Sequence, residues 1–252
     1  MYSEFMEDSP PGVLRLAGHP VRWQLLRELS RSDRQVGELA ALVGQRQSLT
    51  SYHLAQLRSG GLVRTRRSSA DKRDTYYSLD LVEYRAQLAS AGLALHPGVR
   101  LAPAEPPPSF PRTPVRVLFL CTGNSSRSQM AEALLERLGG GRVRAASAGS
   151  DPKPVHPEAV RVMRAAGIDI AGRHPKHLSV FADEPFDHVI SLCDRVRELR
   201  PAFAGAPALA HWSLPDPATS TEPSPFARTA EDLTTRITFL LHAIDSTLER
   251  SQ

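Results

Sequence analysis

At 252 residues, with 23% charged and 41% hydrophobic residues, the chain is long enough for two small folded units and has an ordinary globular composition. No run approaches eighteen apolar residues, which excludes a helical membrane span, and the start MYSEFMEDSPPG is unlike a basic-then-apolar secretion leader, so a cytoplasmic location is expected. The formal charge of +4 is only a weak pointer to a polyanionic partner.

The pattern is helical from the N-terminal side. Val21, Leu25, Leu26 and Leu29 share one helical face, followed by the turn Ser30-Arg31-Ser32-Asp33. Val36, Leu39, Ala40 and Val43 predict a second short helix ended by Gly44. Leu49, Tyr52, Leu54 and Leu57 predict a third, stopped by Gly60-Gly61. LVRTRR and TYYSLDL predict two strands around the polar turn SSADKRD, and a helix from about Val82 to Leu95 closes the unit. Three helices and a two-stranded wing form the order of a winged helix-turn-helix. On its third helix, Gln47, Ser48, Thr50, Ser51, His53 and Gln56 offer short polar side chains for base edges, with packing or a local hydrogen bond as the alternative for His53. Arg58, Arg64, Arg66, Arg67, Lys72 and Arg73, opposed only by Asp71 and Asp74, suit DNA phosphates. Operator DNA is the expected partner. The first and last helices predict a homodimer through this unit. It holds no cysteine, and His96 has no second histidine at ligand spacing, so no metal site is expected.

Pro97, Pro103, Pro106, Pro107, Pro108, Pro111 and Pro114 crowd the stretch from His96 to Pro114. Proline removes backbone donors and fixes φ, so this segment predicts a semi-rigid spacer. The expected division is a winged helix-turn-helix over 1–98, a linker over 99–114 and a second domain over 115–252.

Beyond the linker the period changes. VRVLFL, RVRAASAG, DHVISLC and ALAHWSL predict strands. QMAEALLERLGG, HPEAVRVMRAAG and a long amphipathic segment through Leu233, Ile237, Leu240, Leu241, Ile244 and Leu248 predict helices. The alternation predicts a three-layer α/β domain on a parallel four-stranded sheet.

Between the first of these strands and its helix lies Cys121-Thr-Gly-Asn-Ser-Ser-Arg127-Ser128. Such a loop of small residues can turn the N–H groups of Thr122, Gly123, Asn124, Ser125 and Ser126 inward around an oxyanion, with the helix N-terminus behind them. The same field favours thiolate at Cys121. Arg127 can clamp two oxygens in a bidentate fork, Ser128 can donate to the sulfur, and Asn124 suits a turn with positive φ. A nucleophile of this kind needs a proton donor for the departing oxygen, and Asp216, between Pro215 and Pro217, is the candidate. Cys121 and Cys193 are expected as free thiols. His156 is expected near the site without a catalytic role, and His211 as structural.

VRVLFLCTGNSSRSQMAEALL, SAGSDPKPVHPEAVRVMRAAGIDIAGRHPKHLS, DHVISLCDRVRE and the DPA segment resemble the low-molecular-weight protein tyrosine phosphatase superfamily, and within it the arsenate reductase branch. The resemblance implies that Cys121 is the nucleophile, Arg127 the oxyanion clamp and Asp216 the general acid. Phosphotyrosine-specific members carry aromatic residues after the Asp-Pro, whereas this chain runs Ala218-Thr219-Ser220. Thioredoxin-recycled reductases resemble it at Cys193 but have a further cysteine seven residues on, where Arg200 stands. The loop position that is often cysteine in phosphatases is Ser126. Cys193 is therefore either a resolving thiol or a packed one. No bound cofactor is expected. The resemblance implies an external thiol reductant, from a thioredoxin, glutaredoxin or mycoredoxin system.

The N-terminal stretch, most distinctively SLTSYHLAQLRSGGLV, resembles the ArsR-type repressors. The combined reading is a transcriptional regulator fused to a thiol-dependent arsenate reductase in arsenic resistance, taking arsenate or phosphate as its oxyanion. Its rivals are a tyrosine phosphatase with a regulatory DNA-binding domain, and an oxyanion-sensing transcription factor without turnover.

Overall fold

The computed structural model describes residues 9–101 and 114–249; the linker prolines Pro103, Pro106, Pro107, Pro108 and Pro111 and the side chain of Leu248 lie outside what it describes. Two compact units divide the chain, Met1–Pro103 and Ala104–Gln252.

In the first unit the elements are α1 (Gly12–Ala17), α2 (Pro20–Leu29), β1 (Arg34–Gln35), α3 (Val36–Leu42), α4 (Gln47–Ser59), β2 (Val63–Arg67), β3 (Thr75–Leu79) and α5 (Leu81–Leu95). Proline opens α2 at a position whose N–H would have no partner in the helix, and His19 caps it by accepting from Val21 N. Asp80 caps α5 by accepting from Glu83 N. Leu25, Leu39, Leu54, Leu57 and Leu62 are fully buried together, so α2, α3 and α4 close around one core. The wing has three strands rather than two. β3 pairs antiparallel with both β2 and the two-residue β1, in the order β1-β3-β2.

The second unit runs β4 (Val115–Cys121), α6 (Arg127–Gly139), β5 (Val143–Gly149), α7 (Pro157–Ala165), a 3-10 turn at Leu178–Phe181, β6 (His188–Ser191), α8 (Asp194–Leu199), β7 (Ala208–His211) and α9 (Pro225–Glu249). Its four strands are all parallel, in the order β5-β4-β6-β7. Val117, Leu118, Phe119 and Leu120 of β4 are successive and all at most 1% exposed. Successive strand residues face opposite sides, so both faces of the sheet are covered, as three layers require.

Strand order decides where the chemistry sits. The chain leaves β4 for β5 on one side and then crosses to β6 on the other, so β4 and β6 flank a topological switch point. Open parallel sheets bind ligands at the carboxyl ends of such strands. Cys121 ends β4, Cys193 follows β6, and Asp216 follows β7. No described helix is long and apolar enough to cross a membrane.

Candidate active site

The loop from Thr122 to Ser126 is held from outside by its carbonyl groups. Asp151 N donates to Thr122 O at 2.9 Å, Lys153 N to Gly123 O at 2.8 Å, and His156 N to Ser125 O at 2.8 Å. With those carbonyls engaged on one side, the loop is free to aim N–H groups at its centre. Gly149, at the end of β5, permits this packing. A Cβ there would lie 2.5 Å from Thr122 O and 2.8 Å from Asn124 N, closer than real contacts allow.

Asn124 adopts φ 45° and is fully buried. Its Nδ2 donates to Ser128 Oγ at 2.9 Å and to Ser147 Oγ at 2.8 Å. Its Oδ1 accepts from Gln129 Nε2 at 3.1 Å and from Lys176 N at 2.7 Å. Ser147 Oγ in turn donates to the buried Glu132, which also pairs with Arg173 at 2.9 Å and Lys176 at 3.7 Å. The Asn124 side chain is therefore a scaffold of the loop.

The direction of these bonds matters at the sulfur. Ser128 Oγ accepts a hydrogen bond from Asn124 Nδ2, which leaves its own O–H to donate to Cys121 Sγ, 2.9 Å away. Asn124 N donates to the same sulfur at 3.2 Å. Two donors thus converge on the buried sulfur. Arg127, 5% exposed, opens α6. Its Nη1 donates to Leu214 O at 3.0 Å and its Nη2 to Asp216 Oδ2 at 2.9 Å, while its buried Nε has no partner. An unpaired buried N–H is costly, and a bound oxyanion would satisfy it.

Cys193 caps the start of α8, and its Sγ lies 3.3 Å from Thr122 Oγ1. Both cysteines are free. Burial, then the neighbouring Cys121, push the Cys193 thiol above its ordinary range. The fold thus gathers Cys121, Thr122, Gly123, Asn124, Ser125, Ser126, Arg127, Ser128, Asp216 and Cys193 at one end of the sheet. Ser147, Glu132, Gln129 and Lys176 join them without having been identified from sequence; the Ser147-Ala-Gly149 end of β5 was the available signal. His156 caps α7 and stacks on Phe226 with centroids 4.6 Å apart.

In the first unit, α4 presents Gln47, Ser48, Ser51 and Arg58 outward, with Gln56 half-buried. Thr50 and His53 are corrected. Thr50 is fully buried and donates to Arg46 O at 3.1 Å, while His53 is 4% exposed and packs against His19 with centroids 4.5 Å apart. Both lie on the inward face with Leu54 and Leu57, as their spacing of three and four residues implies. Arg46 and Tyr52, which sequence reasoning passed over as contacts, are exposed there instead. On the wing, Arg64 pairs with Asp80, and Arg67 Nη1 donates to Lys72 O at 2.9 Å. Arg66 Nη1 donates to Arg67 O at 2.8 Å, and Lys72 is exposed. Arg73 forks onto Asp71 at 2.6 Å and 3.0 Å, and these bonds hold the Asp71 carboxyl down to about 2. Among the described residues, no group of three or more His, Cys, Asp or Glu is poised to hold a metal.

A family model described as low molecular weight phosphotyrosine protein phosphatase matches residues 116–250, and one described as bacterial regulatory protein, arsR family, matches residues 19–65. A glutaredoxin arsenate reductase of Synechocystis sp. is 38% identical over 102 residues, covering 40% of this chain and 78% of the relative. An arsenate reductase of Brevibacillus brevis is 35% identical over 121 residues, covering 48% of this chain and 90% of the relative. A solved structure of an arsenate reductase in the phosphate binding state is 33% identical, covers 52% of this chain and 98% of its own, and superposes with a TM-score of 0.47. The chain belongs to the low molecular weight phosphotyrosine protein phosphatase family, and ahead of that domain it holds the segment that matches the arsR-family model.

Proposed function

We propose that the chain is a DNA-binding transcriptional regulator joined to a thiol-dependent arsenate reductase, acting in arsenic resistance. The observation that carries this reading is the buried Cys121 thiol, receiving two donors in a loop that ends at an arginine with an unpartnered buried Nε. Similarity to the arsenate reductases supports the choice of arsenate.

In this reading Cys121 is the nucleophile, Arg127 the clamp and Asp216 the acid, with the backbone of Thr122 to Ser126 and the Ser128 hydroxyl completing the cradle. The Cys121 thiolate attacks arsenic, an As–O bond breaks, and Asp216 supplies the proton with which that oxygen departs. A second thiol then attacks Cys121 Sγ. The S–As bond breaks with its electron pair remaining on arsenic, so As(V) becomes As(III) while two sulfurs are oxidised to a disulfide. The position of Cys193 Sγ beside Thr122 Oγ1 supports giving it the second role. Arg200 stands where a third relay thiol would be needed, so an external reductant attacks the disulfide. The Synechocystis relative supports a glutaredoxin-type donor. Arsenate reduction with glutaredoxin and glutathione, lost in Cys193→Ser, supports the two-cysteine route. Unchanged turnover in that variant assigns the second thiol to the donor.

In the N-terminal unit, α4 and the wing contact operator DNA, through the exposed Gln47, Ser48, Ser51 and Arg58 and the cations Arg66, Arg67 and Lys72. Leu14 on α1 and Leu93 and Leu95 on α5 are 47%, 49% and 82% exposed, and a homodimer through these helices would cover them. The phosphatase alternative keeps the same nucleophile and acid. Phosphotyrosine-peptide cleavage without arsenate turnover would select it over the reductase.

A further inference from the structure

A second polar cluster lies under the carboxyl ends of β6 and β7, apart from the Cys121 loop. Asp194 and His211 are fully buried, and Ser213 is 6% exposed. His211 Nε2 donates to Asp194 Oδ1 at 3.1 Å, Ser213 Oγ donates to the same oxygen at 2.8 Å, and His211 Nδ1 lies 2.8 Å from Ser191 Oγ and 3.0 Å from Ser191 O. A carboxylate taken wholly out of water is expensive unless several donors hold it, so the segments that provide them are constrained together. Those segments are informative. Asp194 is the residue after Cys193, and His211 and Ser213 lead directly into Leu214 and Asp216, the two partners of Arg127.

We infer that His211 and Asp194 are positioning residues that fasten the Ser213–Asp216 segment, so that the Asp216 carboxyl group is held on Arg127 Nη2 and competes with an incoming oxyanion for that donor. The inference rests on the reading of Arg127 as the oxyanion clamp, and deepens it by naming what sets the position of the acid. The cluster itself touches no substrate; it acts through Asp216. If His211 is shortened, the segment gains freedom, the carboxylate spends less time on Nη2, and the guanidinium is more available. In an Asp216→Asn background, the same change at His211 has no carboxyl group on Nη2 to reposition.

The test is a double-mutant cycle read by calorimetric binding of inorganic phosphate to the full chain, using the unmutated protein, His211→Gln, Asp216→Asn and the double variant. Removing one like charge a few ångströms from the anion tightens phosphate binding about tenfold in Asp216→Asn. His211→Gln is expected to tighten it about threefold, and the double variant to match Asp216→Asn. A purely structural role would give a loss of affinity carried unchanged into the Asp216→Asn background. That result, or no effect of His211→Gln, overturns the inference. Ser213→Ala removes a single bond from the same carboxylate, and serves with the same expected direction if His211→Gln does not fold. The two levels of the argument separate cleanly. Phosphate coupling without arsenate turnover sinks the reductase reading and keeps the inference. Absence of phosphate binding by the unmutated protein removes the oxyanion reading, and the inference with it.

Discussion

Replacing Asn124 with alanine removes four side-chain hydrogen bonds at once and leaves a residue with φ 45° that has no local bond to support it. Each buried bond contributes about 1 kcal/mol net, and the left-handed backbone costs an unsupported alanine about 1 kcal/mol. The bonds share one network, so their losses do not add in full, and the expected destabilisation is about 3–5 kcal/mol. That is a large part of a typical stability of about 5–15 kcal/mol. Glycine separates the two causes. Asn124→Gly loses the same bonds but accepts the backbone, so it should retain about 1 kcal/mol more than alanine. The assay is urea unfolding followed by the fluorescence of Trp212, which is 7% exposed beside Phe119 in the same unit, in a Trp23→Phe background. A loss below about 1 kcal/mol for alanine would refute the scaffold role of Asn124. Equal losses for alanine and glycine would refute the backbone part of the reasoning.

Gly149→Ala puts a Cβ against the backbone at Thr122 O, and should cost about 1–3 kcal/mol of stability and weaken phosphate binding measured by calorimetry; an unchanged affinity would mean that the loop tolerates displacement. The first unit should weaken in acid. Burial, then His19 and Arg22, hold the His53 pKa below its ordinary 6.5, so the unfolded chain takes up the proton first. The stability contributed by the neutral ring is present above that value and is lost as pH falls through the folded one. Thermal melts read by Trp23 fluorescence between about pH 7.5 and about pH 5 should show this fall, flattened in His53→Gln. On the wing, Lys72→Ala should reduce the salt dependence of operator binding by about one phosphate contact, whereas Arg73→Ala should reduce it less, because Asp71 already holds that guanidinium. Equal salt slopes for the two variants would contradict this assignment.

The alternation of strands and helices after the linker was readable in the residues, because both faces of β4 are buried and its run VRVLFL is continuously apolar. The Cys121 loop was readable too, since its chemistry is local: nucleophile, small residues and arginine lie within seven positions. The scaffold behind it was not. Ser147 on β5 and the Lys176 backbone reach Asn124 from segments distant in sequence, and Glu132 on α6 meets them there; no local spacing encodes such contacts. The short elements α1, β1 and α8 also escaped, because six residues or two carry too little periodicity to stand out. Thr50 and His53 are a different case. Thr50 lies four residues before Leu54 and His53 four before Leu57, which puts both on the core face, and helical register outweighed the polarity that suggested DNA contact.

The measurement that bears most directly on the central claim is arsenite formation from arsenate by the full chain, with thioredoxin, with glutaredoxin and glutathione, and with mycoredoxin and mycothiol in parallel, beside a Cys121→Ser control. The account predicts turnover with the glutaredoxin system and none in the control. No arsenite with any donor, or turnover that survives the loss of Cys121, would contradict it.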